Sequence, residues 1–402
     1  MIPVADAVAK IVAGFAPLST EQVPLSGGLG RILAADVAAR LSSPPADVSA
    51  MDGYALRAAD VQTAPATLTR IGESAAGSGF DGTVGTGQCV RIFTGAPVPA
   101  GADAIIIQED TTVNGEAVTF TEAATPGRWI RRAGMDFAEG EVLIAAGTRL
   151  TGRHIGLAAA MNAPWLEVRR RPRVAILATG DELVMPGEPV GPSQIVSSNG
   201  LALAAYVREM GGEPIDLGIA RDTLESLREK LAGAKSADLL VTIGGASVGD
   251  HDLVQKALGG EGFELNFYKV AMRPGKPLIF GRLGAVPVLG LPGNPVSVGV
   301  TSLLFLKPAL ETLLGLSRTD PVRQTVKLGR DLGPNGERED YLRARLGRDG
   351  AGNVTATPFE RQDSAMMARF AEADCLVIRP PHAGPAKAGE TVEILPLPAS
   401  AL

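Results

Sequence analysis

Residues 238–297 constrain this chain more than any other stretch. They read DLLVTIGGASVGDHDLV, then FYKVAMRPGKPLIFG, then VPVLGLPGNPVS. Each apolar run stops in a glycine-rich turn. Between the turns lie two acids, Asp250 and Asp252, and three cations, Lys269, Arg273 and Lys276. Glycine lets backbone N–H groups close on an anion, and a following helix start adds positive potential. Cations hold oxyanions and carboxylates hold a hard metal ion. The combination predicts a site for a phosphorylated or oxyanionic ligand handled with a divalent cation.

The rest of the pattern places that stretch in a larger frame. Val4, Val8, Ile11, Val12 and Phe15 share one helical face, predicting a helix over residues 4–15. A second helix is predicted after Ser26-Gly27-Gly28, through Leu33 and Val37. Residues 65–150 read as short strands and turns, with Asn114-Gly115 as a type I′ hairpin signal. Residues 151–162 read as helix, with His154 a satisfied helix histidine. From Arg173 strands and helices alternate: VAILAT, a helix over 199–210, a strand over 214–219, a helix over 222–232 capped by Asp222, then LLVTIGG. This rhythm predicts a doubly wound, mostly parallel α/β sheet with ligands at the carboxyl ends of its strands. From about residue 322 the chain returns to β and predicts a small antiparallel barrel or sandwich of four or five strands.

Composition excludes several classes. Aromatics are 4% and the net charge is −6, which argues against stacking platforms and against a general phosphate-backbone binder. Two cysteines, Cys89 and Cys375, lie far apart and fit a reducing compartment. MIPVADAVAK has no basic n-region, so it does not read as a signal peptide. Residues 283–306 hold no charge, but Pro287, Pro292 and Pro295 interrupt them, so they read as strand, turn and buried helix instead of a membrane span.

Several motifs carry chemistry beside a plainer reading. Thr179-Gly180-Asp181-Glu182 suits a capped helix start, or a metal ligand or general base. Residues 245–249 match G-x-S-x-G, so a serine hydrolase using Ser247 is one reading; the acid-then-histidine order it needs is poorly served by His251 and His382. The other reading uses Gly244, Gly245 and Gly249 for close backbone approach to a phosphate, with Asp250 and Asp252 facing a cation. Lys269, Arg273 and Lys276 are punctuated by Pro274, Gly275 and Pro277, which suits an oxyanion clamp or surface charge on a turn. Pro292-Gly293-Asn294 is a tight turn able to contact an anion. Asp52 and Thr94 lie in Gly/Pro-rich turns, and Arg131, Arg132 and Asp136 read as a surface salt bridge.

Taken in order, SAMDGYA, TGAPVPAGADAI, RRAGMDFAEG, ATGDEL, SNG, IGGASVGDHD, RPGKPLIFG and LPGNPVS resemble the molybdopterin molybdenumtransferases, bacterial enzymes similar to the C-terminal domain of gephyrin. The resemblance spans nearly the whole chain; residues 173–310 alone are also similar to the molybdopterin adenylyltransferase fold. It implies four domains: an elongated linking domain (1–44 and 137–168), a β-rich domain (45–136), a doubly wound molybdopterin-binding domain (169–321) and a C-terminal β-barrel (322–402). It implies a cytoplasmic homodimer with an intersubunit site, acting on small molecules, neither nucleic acid nor membrane, with the molybdopterin adenylyltransferase as a partner. The reaction implied is insertion of molybdate into adenylylated molybdopterin, releasing AMP, with Mg2+. Asp52, Thr94 and Asp136 match family positions on the β-rich side, and Glu182, Asp222 and Asp252 match acidic positions of the doubly wound domain. Asp250, Asp252 and Glu182 would hold the metal. Lys269, Arg273 and Lys276 match the basic loop. Arg343 and Ser364 match positions that help hold molybdate. Two departures stand out: Arg273 replaces a lysine common in the family, and Gln362-Asp363-Ser364 carries an aspartate where glycine is usual.

Overall fold

The computed structural model describes residues 1–244, 263–316 and 322–397. Gly245, Ser247, Gly249, Asp250, His251 and Asp252 therefore lie outside the described residues. The chain forms two compact units, Gln22–Val168 and Met1–Glu21 with Arg169–Leu402.

In the first unit, a six-stranded sheet runs in the order Ala104–Ile107, Gly53–Leu56, Gln88–Ile92, Ala66–Ser74, Ala117–Phe120, Thr111–Asn114. The last two strands form the predicted hairpin, with Asn114 opposite Ala117. The central turn pair is Gly115-Glu116, and of the two only Gly115 has positive φ, at 64°. That is the pattern of a II′ turn, shifted one residue from the I′ expectation. Both faces of the sheet are covered: Tyr54, Leu56 and Phe120 pack on one side, Ala55, Ile92 and Ile105 on the other. A separate core gathers Leu33, Phe137, Leu150, Met161 and Val168. The helix Gly152–Ala160 starts at Thr151, whose N–H donates to His154 Nδ1 at 3.1 Å, so that histidine is satisfied as expected. The helix expected through Leu33 and Val37 is absent. A 3-10 turn, Leu25–Gly27, is followed by Gly30 at φ 74° and by single bridges of Ile32 to Arg149 and Leu33 to Val168. Left-handed glycine stops the turn, and the apolar pair at helical spacing is buried by pairing.

The second unit is built on a sheet ordered Glu213–Ala220, Arg173–Thr179, Leu239–Ile243, Val286–Leu291, Pro277–Leu283, Phe263–Lys269. The first four strands are parallel, and Pro277–Leu283 runs antiparallel to both of its neighbours, Val286–Leu291 and Phe263–Lys269. The helix Val4–Val12 buries Val4, Ala7 and Ile11 in the core of this unit. Pro295–Leu313 is long and apolar enough to cross a membrane, with mean hydropathy 1.3, yet 83% of it is buried. It is a core helix, and Phe370 fills the space beside its Gly299, where a Cβ would meet the ring at 2.2 Å. The helix Leu224–Leu231 is capped by Thr223, whose side chain accepts from Ser226 N–H. The cap is thus one residue beyond Asp222. Thr223 has the extended backbone a cap requires, and Asp222 stays exposed.

The C-terminal strands Gln324–Leu328, Glu339–Arg348, Val354–Pro358, Cys375–Arg379 and Thr391–Pro396 close into a five-stranded barrel, because Glu339–Arg348 pairs with both Val354–Pro358 and Cys375–Arg379. It is not wholly antiparallel: Gln324–Leu328 runs parallel to Val354–Pro358.

Candidate active site

The parallel strands end side by side, and this register builds the site. Ala178 lies opposite Ile243, Ile243 opposite Leu291, and Thr179 opposite Ala220. Each strand then releases its loop at the same edge. Gly180 N–H donates to Ala220 O at 3.2 Å, and Gly244 N–H donates to Leu291 O at 3.1 Å. Gly244 sits at φ 88°, and a Cβ there would stand 2.8 Å from Thr179 O. A Cβ on Gly293 would lie 3.8 Å from Gly244 Cα. Two glycines from neighbouring loops thus face each other, which leaves backbone open to close approach.

The described acids among those predicted for this unit lie along the same rim. Asp181 Oδ1 accepts from Asp222 N–H at 3.1 Å, and Arg221 Nη1 donates to Asp181 O at 3.1 Å. Glu182 is exposed, with its carboxylate folded over Gly180. Among the described residues no three metal-ligating side chains come together. Glu182 supplies one hard oxygen donor set of the kind magnesium prefers, and the other two expected donors, Asp250 and Asp252, are outside the described residues.

On the other side the barrel reaches the Pro292-Gly293-Asn294 turn. Asn294 Nδ2 donates to Ser364 Oγ at 2.7 Å, and Val296 N–H donates to Ser364 O at 3.1 Å. Asn199 Nδ2 donates to Gly293 O at 2.6 Å. Ser364 is placed by Arg343, which is 1% exposed. Gln362 Oε1 accepts from Arg343 N–H and Nε, at 3.0 and 3.2 Å, while Arg343 Nη1 donates to Met366 O at 3.3 Å. The loop on both sides of Ser364 therefore wraps one guanidinium. Nη2 of Arg343 is buried and has no hydrogen-bond partner. Burial lowers the pKa of this group from its ordinary value, opposed by the charge of Asp363.

The basic loop is more tightly framed than its proline and glycine content suggests. Lys276 is exposed, and Lys269 Nζ stands 5.1 Å from the Tyr268 ring centroid. Arg273 forms an ion pair with Asp340, which is 3% exposed. Sequence reasoning missed Asp340 and the holding role of Gln362. The available signal was an acid inside the strand pattern EDYLRARL, where a buried carboxylate requires a partner.

In the Gln22–Val168 unit, Asp52 and Thr94 come together. Asp52 Oδ1 accepts from Thr94 N–H and from Thr94 Oγ1, both at 2.8 Å. These two bonds, the backbone one first, hold the carboxyl below its ordinary value of 3.8. The loops are joined further by Gly95 N–H to Ser49 O and Ser49 N–H to Ala96 O, each 2.9 Å. Asp136 is exposed, and its N–H donates to Ser43 O at 2.9 Å. Arg132 does not pair with it: Arg132 Nη1 meets Asp47 Oδ2 at 2.5 Å, and Ala133 N–H donates to Asp47 Oδ1 at 2.9 Å. The tight turn at Gly134 brings Asp47, and not Asp136, under the guanidinium.

Comparison with known proteins agrees along the chain. Residues 2–162 match the MoeA N-terminal region (domain I and II), residues 175–312 the probable molybdopterin binding domain, and residues 325–397 the MoeA C-terminal region (domain IV). The molybdopterin molybdenumtransferase of Haemophilus influenzae is 35% identical, covering 94% of each chain. That of Nostoc sp. is 41% identical over 80% of this chain and 76% of its own. A crystal structure of the molybdopterin biosynthesis MoeA protein from Pyrococcus horikoshii superposes with a TM-score of 0.86 at 32% identity, covering 98% of this chain and 99% of that one. With domain matches from end to end and relatives at this identity, the chain belongs to the molybdopterin molybdenumtransferase family.

Proposed function

We propose that this protein inserts molybdenum, supplied as molybdate, into adenylylated molybdopterin and releases AMP in a magnesium-dependent reaction. The observation that carries the reading is Arg343: a buried cation with one unpartnered donor, wrapped by the loop that presents Ser364 to Asn294. A buried guanidinium without a bonded carboxylate favours an anion strongly, and a tetrahedral dianion offers the oxygens it lacks. Lys269 and Lys276 add positive charge from the basic loop, while the facing Gly244 and Gly293 turns suit a pyrophosphate. Glu182 with Asp250 and Asp252 would hold the magnesium ion, which neutralises phosphate charge when bound. Asp222, whose backbone N–H donates to Asp181 Oδ1 on the same rim, is our candidate for moving a proton there.

Further parts of the reading rest on the family resemblance: a cytoplasmic homodimer, roles for Asp52, Thr94 and Asp136 in turnover, and delivery of substrate by the molybdopterin adenylyltransferase. The test is direct. Purified protein, adenylylated molybdopterin, magnesium and molybdate are mixed and AMP is measured. AMP release that requires molybdate supports the reading, and AMP release indifferent to molybdate refutes it. Labelling of Ser247 by a fluorophosphonate would instead favour the hydrolase reading of the G-x-S-x-G pattern.

A further inference from the structure

The segment 269–276 is held on one side by the start of the chain and on the other by the strand Glu339–Arg348 of the barrel. On one side Ile2 N–H donates to Lys269 O at 3.0 Å and Ala271 N–H donates to Ile2 O at 2.8 Å. On the other, Glu339 N–H donates to Ala271 O at 2.9 Å, and Met272 and Arg273 pair in parallel with Glu339 and Asp340. Val270 N–H closes the loop on Lys276 O at 3.0 Å. Met272 is fully buried, and Gly275, at φ 110°, sits where a Cβ would strike Thr301 at 2.7 Å.

Within this frame Arg273 has a specific partner. The Asp340 side chain is 5% exposed and that of Arg273 is 58% exposed, so the pair joins a buried carboxylate to a surface cation. A carboxylate withdrawn from water needs a countercharge, and removing it leaves an uncompensated buried ion. The charge of Arg273 is therefore offset by Asp340, while Lys269, over the Tyr268 ring, and the exposed Lys276 flank it and form no ion pair among the described residues.

We propose that Asp340 is a positioning residue of the molybdate site: by pairing with Arg273 it pins the basic loop, so that Lys269 and Lys276, and not Arg273, meet the oxyanion. This rests on the molybdenum-insertion reading above. Asp340 touches no substrate; it acts through Arg273 on where the two lysines stand.

The experiment compares Asp340→Asn, Arg273→Met and the double variant Arg273→Met/Asp340→Leu with the wild-type protein. Two readouts are taken: amide hydrogen exchange at Val270 and Ala271, and KM for molybdate in the AMP-release assay. Asp340→Asn and Arg273→Met should both speed exchange at these amides and raise KM for molybdate roughly tenfold or more, with a smaller effect on kcat, as misplaced ligand groups do. The double variant, which removes the buried charge along with its partner, should recover exchange protection and bring KM back toward the wild-type value relative to Arg273→Met. Recovered protection with KM still raised as in Arg273→Met would mean that Arg273 itself binds the anion, and would overturn the proposal. Unchanged exchange and KM in Asp340→Asn would overturn it as well, and that arm stands even if the double variant does not fold. Absence of AMP release by the wild type would sink the functional reading instead; the exchange arm still decides whether Asp340 pins the loop.

Discussion

Gly244 and Gly293 face each other across the strand ends, and substitution by alanine should affect them in opposite ways. At Gly244 the backbone is left-handed, φ 88°, which costs an L-residue about 1–2 kcal/mol. The new Cβ would also stand 2.8 Å from the Thr179 carbonyl oxygen and 3.1 Å from its Oγ1. The carbonyl cannot rotate away, because Thr179 is in register with Ala220 and 5% exposed. Overpacking of that kind adds roughly 1–3 kcal/mol. Gly244→Ala should therefore lose about 2–4 kcal/mol of local stability. Gly293 has no left-handed backbone, and its Cβ would make an ordinary 3.8 Å contact with Gly244 Cα. Gly293→Ala should stay within about 0.5 kcal/mol of wild type. It should still raise KM for adenylylated molybdopterin on the order of tenfold, because the methyl group fills the gap that a phosphate would approach. A chain of this size unfolds by parts, so the proper assay is hydrogen exchange in the strands Arg173–Thr179 and Leu239–Ile243, joined to steady-state kinetics. Equal exchange in Gly244→Ala and wild type would refute the steric argument. A Gly293→Ala protein with unaltered KM would refute the placement of the ligand.

Three other outcomes are expected. Asp52 has a depressed pKa, so its charged contact with Thr94 is fully present above pH 3.8 and is lost only as pH falls through the lower folded value; Thr94→Val should raise the Asp52 carboxyl toward 3.8 in an NMR titration, though not fully, since the backbone N–H remains. Cys89 and Cys375 are buried, and desolvation pushes both thiols up to about 12, so neither should react with a thiol reagent at neutral pH until denaturant is added, when both should. Chelation of divalent ions should abolish AMP release and magnesium should restore it; full activity in excess chelator would remove the metal role assigned to Glu182.

Local signals carried the elements whose partners are near in sequence. The Asn114-Gly115 hairpin was legible because two strands and a turn decide it within ten residues, and even there the turn type shifted by one position. The alternation from Arg173 to Leu313 was legible because a buried parallel strand reads as an apolar run and its loop as glycine. The helix expected through Leu33 and Val37 failed for the converse reason. Spacing of four suits a helix face, but Leu33 is buried by a bridge to Val168, a contact no local window contains.

The same distance rule separates the parts of the site. The glycine turns and the exposed Lys276 announce themselves, since their chemistry is carried by the residue type alone. What places them does not. Asp340 meets Arg273 across 67 positions, Asn294 meets Ser364 across 70, and Asn199 meets Gly293 across 94. Each of these contacts involves a side chain that is ordinary in its own neighbourhood. An aspartate in a strand, an asparagine in a turn and a serine in a loop become informative only once the fold sets them against a partner. A motif can therefore name the cations of such a site without the contact that frames them: three positive residues in eight positions read as one clamp, and only the fold sets the buried carboxylate at 340 against the middle one.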